Sequence, residues 1–208
     1  MSTDERDLVG QQPADVVQVL RESAEQGYAV SFSSLAARIT DADLADKARK
    51  ATLVEAVSAK VAETMGRGQF NDLQGARAFY DRLGIVHIEL SEQIVATMRE
   101  LNDRVGDDVF AIGPTVYNGR TLDGLTAAQA QQRQDEGILA RAGYTPEQIP
   151  SLLPKVGMYR ATIAALRAGP NSDFYEGFYR YTMPLFTGEQ RNALSAMATP
   201  RQLPPRRS

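Results

Sequence analysis

The chain has 208 residues, 43% of them hydrophobic, and this length is enough for one domain that buries most of its apolar surface. Its net charge of -3, from 23 basic and 26 acidic residues, argues against nucleic acid and against an anionic membrane surface as partners. The absence of cysteine excludes disulfides and thiolate metal sites. The single histidine, His87, cannot form a metal site alone, so we expect no metal or cofactor.

The first segment of the chain, residues 1–12, is polar and acidic and is predicted to be a tail outside the packed domain. A secretory signal would instead begin with basic residues followed by an apolar run. No stretch approaches the ~18 consecutive apolar residues of a membrane span. We therefore expect cytoplasmic synthesis without stable membrane insertion. Export would then follow a route independent of a signal peptide, or occur by incorporation into a virion.

Two helices are predicted near the beginning of the chain. Pro13 is a favourable first-turn residue and Gly27 a favourable stop, which predicts a helix between them. Thr40 or Asp41 is expected to cap a second, longer helix with apolar residues at helical spacing. Gly66 is expected to end it.

The most regular pattern of the chain lies at residues 72–104, where apolar residues recur at intervals of three and four. This spacing predicts one long amphipathic helix, with Gly84 as its weakest point and Asn71 or Asp72 as its cap. Its apolar side requires at least two neighbouring helices, as in an antiparallel bundle. The residues of this stripe are Phe79, Leu83, Val86, Leu90, Ile94, Met98, Leu101 and Val105.

A small β-hairpin is predicted at residues 109–122. The segment TVYNGRTL places Asn118 and Gly119 between two short extended runs, and both residues accept the positive φ of a two-residue turn. An isolated ribbon of this size is marginal in water and has to lean on helices. We interpret it as a structural bridge between two parts of a helical domain.

Capping patterns mark the later helices. Thr126 is followed three residues later by Gln129, which is the spacing of a reciprocal cap at a helix start. The same spacing recurs after Thr145 and after Thr187. Gly143 is expected to end the helix that begins at Thr126.

The remaining helices complete a fold of the mainly α class. A helix is predicted to restart after Pro154 and to end at Gly169, and a further helix to begin at Asn171 or Ser172. We predict one helical, bundle-like domain over residues 13–198. Residues 199–208 are rich in proline and arginine and are predicted to form a basic tail.

Two segments together resemble the lysozyme-like lytic transglycosylases. In that family a glutamate at a helix end precedes a Gly-x-x-Gln turn, and a Tyr-Asn-Ala-Gly element later lines the glycan cleft. Here LVEAVSAK offers Glu55, MGRGQFND offers Gly66 and Gln69, and TVYNG offers Tyr117 and Asn118 in the same order.

This resemblance implies a cleft that cleaves peptidoglycan glycan strands. Glu55 would be the general acid and base, held protonated by apolar surroundings, and Gln69 and Tyr117 would line the cleft. The alternative interpretation is structural. Glu55 is then one charged position on a helix, and the residues from Gly66 to Asp72 end that helix and connect it to the next one.

Aromatic residues concentrate near the C-terminal end. On a regular helix Phe174, Phe178 and Tyr181 would share one face, and Tyr175 and Tyr179 the adjacent one. One interpretation is core packing with tyrosine hydroxyls at its edge. The other is a partner-binding surface formed by Tyr175, Tyr179 and the neighbouring Arg180, because tyrosine and arginine are favoured at the energetic centres of protein interfaces.

The last residues of the chain are basic. No acidic residue follows Glu189, and Arg191, Arg201, Arg206 and Arg207 give this end a positive charge. Such an ending resembles the C-terminal signals of substrates of conjugation-type secretion systems, and it is also common in solvated tails.

The sequence thus supports two function hypotheses. The first is a non-catalytic helical interaction or assembly protein. It would bind protein partners or copies of itself, as a component or substrate of a phage, a secretion system or a mobile element. The alternative is the lytic transglycosylase, and peptidoglycan is a partner only in that case.

Overall fold

A computed structural model describes residues 14–84, 86–111, 113 and 115–199, and for residues 86–90 it describes the backbone. The predicted N-terminal tail lies outside the described residues, as does the C-terminal tail apart from Thr199. The side chain of His87 also lies outside them.

The described part of the chain is mainly helical, as predicted. Its α-helices are α1 (Val16–Gln26), α2 (Phe32–Ala37), α3 (Asp41–Ala45), α4 (Lys47–Gly66), α5 (Ala76–Leu83), α6 (Val86–Arg104), α7 (Ala127–Arg141), α8 (Ile149–Ala168) and α9 (Gly188–Ala198). Short 3-10 turns cover Phe70–Leu73, Gly106–Phe110, Asp173–Tyr175 and Met183–Leu185, and Phe178–Thr182 forms a π-helical turn.

The capping predictions are largely confirmed. Thr40, Thr126 and Thr187 each form a full capping box, in which the threonine oxygen accepts the N–H three residues later and the later side chain accepts the threonine N–H. At Thr145 only half of the box forms. Its N–H donates to Oε1 of Gln148 at 3.0 Å, and α8 begins just after that glutamine.

The helix predicted between Thr40 and Gly66 is interrupted once. Asp46 has an extended conformation with φ -84° and ψ 110°, so α3 ends there and α4 begins. The Asp46 carboxylate accepts the N–H groups of Ala48 and Arg49, at 2.9 and 3.1 Å, which makes it the cap of α4.

The prediction of one long helix over residues 72–104 is wrong. The chain there forms a 3-10 turn, then α5, then α6. Gly75 and Gly84 have φ values of +87° and +74°, in the left-handed region that a continuous α-helix does not contain. The apolar spacing continues across Gly84, so periodicity alone did not show that the helix ends there, whereas Gly75 precedes Phe79, the first residue of the stripe.

The predicted β-hairpin at residues 109–122 is also wrong, although its turn forms. Asn118 and Gly119 have φ values of 51° and 80°, and the N–H groups of Tyr117 and Arg120 donate to each other's carbonyl oxygens at 2.8 and 3.1 Å. No strand forms in the described residues. The flanking side chains lack a packing surface, and Leu122 is fully exposed, so nothing stabilises a longer ribbon.

Two further expectations differ near the C-terminal end. Pro154 lies inside α8 instead of preceding it, while Gly169 ends that helix as predicted. The helix predicted from Asn171 or Ser172 is a succession of 3-10, π-helical and 3-10 turns. Pro184 has no N–H to donate to the carbonyl of Arg180, so a regular α-helix cannot continue through this segment.

The core forms where α4 crosses α8, and the other helices pack around this pair. The two backbones meet at Gly66 and Gly157. A Cβ at Gly157 would lie 3.2 Å from Cα of Gly66, and one at Gly66 would lie 3.0 Å from the carbonyl oxygen of Pro154. Glycine at both positions therefore permits the close approach.

Candidate partner-binding site

The three residues named for the transglycosylase lie in different places. Glu55 is on α4 with 78% of its side chain exposed, and its carboxylate is 3.9 Å from the guanidinium of Arg21. Gln69 follows α4 and lines a cleft that does not include Glu55. Tyr117 is 77% exposed in the Asn118–Gly119 turn and lies on the wall of neither cavity.

One cleft brings two of the sequence-predicted residues together, Gln69 and Arg180. It lies between residues 68–72 and residues 173–181 and has a volume of about 430 Å³. We call it the aromatic cleft. Its lining residues are Gly68, Gln69, Phe70, Asn71, Asp72, Asp173, Phe174, Glu176, Gly177, Arg180 and Tyr181.

Glycine and a π-helical turn shape the cleft. Gly177 lies directly against the opposite wall, where a Cβ would be 2.4 Å from Oδ1 of Asn71. Behind the cleft, Phe178 is fully buried and its ring meets that of Phe70 edge to face, with centroids 5.2 Å apart. The cleft therefore has a packed apolar base, and π-helical turns frequently occur at functional sites.

The aromatic cluster is divided between core and surface. Phe178 and Phe186 are buried, whereas Phe174 is 85% exposed at the rim of the cleft. The Phe174 ring meets that of Tyr175 edge to face, with centroids 4.9 Å apart. Tyr175 is half-buried, and its ring centre also lies 6.5 Å from that of Phe70.

Tyr179 connects the cluster to α8. Its side chain is half-buried, and its hydroxyl donates to the carbonyl oxygen of Ala165 at 3.1 Å. Burial raises the pKa of the Tyr179 phenol above its usual value. The core interpretation therefore describes Phe178 and Phe186, and exposure at the surface describes Phe174.

The cleft carries more negative than positive charge. Asp72, Asp173 and Glu176 oppose one cation, Arg180. The Arg180 guanidinium lies 2.7 Å from the Glu176 carboxylate and 6.0 Å from the Tyr181 ring centre, and its pKa is raised by hydrogen bonding to Tyr181 and by Glu176. No described residue forms an ion pair with Asp72 or Asp173.

The cleft walls offer several kinds of binding group: carboxylates, amides, a guanidinium and aromatic rings. Within the described ranges, no group of three or more His, Cys, Asp or Glu side chains could hold a metal ion. No helix in those ranges is both long and apolar enough to span a membrane.

Sequence reasoning missed Phe174 as the exposed ring and Asn71 and Gly177 as the point of contact between the walls. One signal was present, a glycine between two aromatic pairs, FYEGFY, which is where a second chain segment can approach closely.

Comparisons of the chain with protein-family models, with curated proteins and with solved structures give no match.

Proposed function

We propose that the chain is a non-catalytic helical interaction protein that binds a protein partner, or a second copy of itself, through the aromatic cleft. The observation that carries this proposal is Phe174, which is 85% exposed beside an ordered cleft. Leaving a phenylalanine in water costs about 2 kcal/mol relative to burying it. A partner that covers the ring recovers this free energy.

The surroundings of Phe174 fit the anatomy of an interface. Energetic centres of interfaces combine an aromatic or arginine anchor with a rim that excludes water. Here Phe174 and Arg180 would be the anchors, while Tyr175 and Tyr179 hold the segment against the core. The carboxylates of Asp72 and Asp173, which form no ion pair with any described residue, favour a partner segment that presents lysine or arginine next to an apolar pocket.

The transglycosylase alternative receives less support. A general acid that stays protonated near neutral pH needs an apolar enclosure. Glu55 instead has 78% of its side chain exposed and faces Arg21, and it does not share a cavity with Gln69. We therefore do not propose that activity.

We propose the cellular setting from the sequence alone. A component or substrate of a phage, a secretion system or a mobile element, made in the cytoplasm, is consistent with the basic C-terminal end, of which Arg201, Arg206 and Arg207 lie outside the described part of the chain.

Photo-crosslinking tests the proposal directly. A benzophenone amino acid placed at position 174 should crosslink the chain to a protein, or to a second copy, in an extract of the cells that make it. The matched control is position 122, because Leu122 is fully exposed but lies outside the aromatic cleft. Equal crosslinking from both positions, or none from position 174, would contradict the proposal.

A further inference from the structure

Every lysine that reaches solvent lies on one groove. The chain has four lysines. Lys60 is buried with 2% exposure, and the other three, Lys47, Lys50 and Lys155, line a groove of about 930 Å³ between α4, α6 and α8. We call it the lysine groove. It shares no lining residue with the aromatic cleft.

One face of α4 forms the long wall of this groove. Its lining positions 47, 51, 54, 58 and 62 follow one another at intervals of three and four, so they lie along a single stripe. From position 47 to position 62 this stripe extends about 22 Å, the length of four helical turns. Alanine, serine and valine side chains form it beyond Lys47, so another backbone can approach closely.

The three lysines give the groove a positive charge. Lys50 and Lys155 are half-buried and Lys47 is exposed, and all three line the groove. No described residue forms an ion pair with any of them. Among the described lining residues the one acidic side chain is Glu55, which is beside Arg21.

We propose that the lysine groove binds an amphipathic helix of a partner protein, with an apolar face of small or medium side chains flanked by glutamate or aspartate. The small side chains along α4 would receive the apolar face, and Lys47, Lys50 and Lys155 would pair with the acidic flanks. No strand edge exists in the described residues for an extended peptide to join.

Other occupants fit the groove less well. A nucleic acid or a lipid headgroup offers phosphates but no apolar face for Val54 and Ala62 at the base. A second copy that docked through the same face would bring six lysines together, which is unfavourable. The acidic helix is the occupant that matches both the charge and the apolar base.

Two synthetic peptides test the proposal on the full chain. Both are 18-residue amphipathic helices with the same alanine and leucine face, one flanked by glutamates and the other by lysines. Fluorescence anisotropy should show the glutamate peptide binding at least about tenfold more tightly than the lysine peptide. Failure of the glutamate peptide to bind, or equal binding of both, overturns the proposal.

Variants of groove residues test whether the peptide binds in the groove. The double variant Lys50→Glu, Lys155→Glu should reverse the preference between the peptides, and Ala51→Gln should weaken both by filling the groove at an exposed helix position. The control Arg141→Glu, Arg191→Glu makes the same change in net charge at exposed arginines outside the groove and should preserve the wild-type preference. A control that behaves like the lysine double variant overturns the proposal.

Amine labelling gives an independent readout, because the accessible side-chain amines lie on this surface. The glutamate peptide should protect Lys50 and Lys155 from an N-hydroxysuccinimide ester, as measured by mass spectrometry. Protection by DNA or by phosphatidylserine vesicles without protection by the peptide would assign the groove to a polyanion. Protection that rises with protein concentration alone would assign it to a second copy. Protection of the lysines without any peptide, if it is lost on deletion of residues 1–12, would assign the groove to that acidic segment. Each of these three results overturns the proposal.

Discussion

Lys60 is a buried cation whose three ammonium protons are all satisfied. It donates to the carbonyl oxygens of Ser23 and Tyr28, at 3.2 and 2.7 Å, and to the Glu63 carboxylate at 2.7 Å. These bonds attach the end of α1 and the residues after it to α4. Lys60 therefore adds buried polar contacts to the apolar packing of α1 against α4.

Replacing Lys60 by methionine should lower the free energy of unfolding by about 3 kcal/mol, since it removes the buried charge that pairs with Glu63 and a hydrogen-bond donor to the carbonyl oxygens of Ser23 and Tyr28. Urea denaturation is the measurement. The control Lys47→Met alters an exposed lysine and should change stability by no more than about 0.5 kcal/mol. Equal stability of the two variants would show that the Lys60 bonds contribute nothing.

At the scale of elements, the crossing of α4 and α8 can be tested with two glycine variants of equal intrinsic helix preference. Gly157→Ala should destabilise the protein by about 1–3 kcal/mol, because its Cβ would lie 3.2 Å from the Gly66 backbone. Gly137→Ala, in α7, meets only the end of the Arg141 side chain and should stabilise by about 0.5–1 kcal/mol. Thermal melting distinguishes them. Stabilisation by both substitutions would mean that the helices have room to separate.

A charged junction connects α1, α3 and α4. The Nε of Arg49 donates to Asp43 at 3.1 Å, and its Nη1 donates to Asp15 at 3.2 Å. Hydrogen bonds from the Thr40 N–H and hydroxyl, and then Arg49, lower the pKa of Asp43. The hydrogen bond from Arg49 is the main cause that lowers the pKa of Asp15.

This junction predicts an acid-sensitive contribution to stability. Because folding lowers the pKa of both carboxyls, their contribution is present above the usual aspartate value of about 3.9 and is lost as the pH falls below it. Asp43→Asn should therefore be less stable than wild type at pH 7, by about 1 kcal/mol or less, and should approach it near pH 3. Denaturation at both pH values measures this. A difference that is the same at both values would contradict the assignment.

Elements whose conformation depends on a local signal could be predicted from the sequence. The helix cap at Thr40, the capping boxes at Thr126 and Thr187 and the Asn118–Gly119 turn are examples, since each depends on residues within a few positions of one another. The breaks at Gly75 and Gly84 were missed. A glycine can sit in a helix or end it, and the tertiary neighbours decide which, because the hydrophobic pattern is the same in both cases.

At the scale of the whole molecule, the cleft was not predictable because its walls are about a hundred residues apart in sequence. The sequence predicted Gln69 for a glycan cleft and Arg180 for a partner-binding surface, and only the fold shows that both line the same cleft. A regular helix would also place Phe174 and Phe178 on one face. The irregular turns instead leave Phe174 exposed and bury Phe178.

The non-catalytic proposal predicts that the purified protein does not clear a suspension of bacterial cell walls. Turbidity is the measurement, and the Glu55→Gln variant should behave like wild type because Glu55 is exposed. Clearing by wild type that this variant abolishes would restore the transglycosylase hypothesis.

The affinity of the partner captured from position 174 tests the central claim most directly. If Phe174 is an anchor of the interface, Phe174→Ala should weaken binding by about 2 kcal/mol, or about thirtyfold, in isothermal titration calorimetry. Its melting temperature should stay close to that of wild type, because the ring is 85% exposed. Leu122→Ala is the matched exposed control and should bind normally. Unchanged affinity in Phe174→Ala would contradict the account.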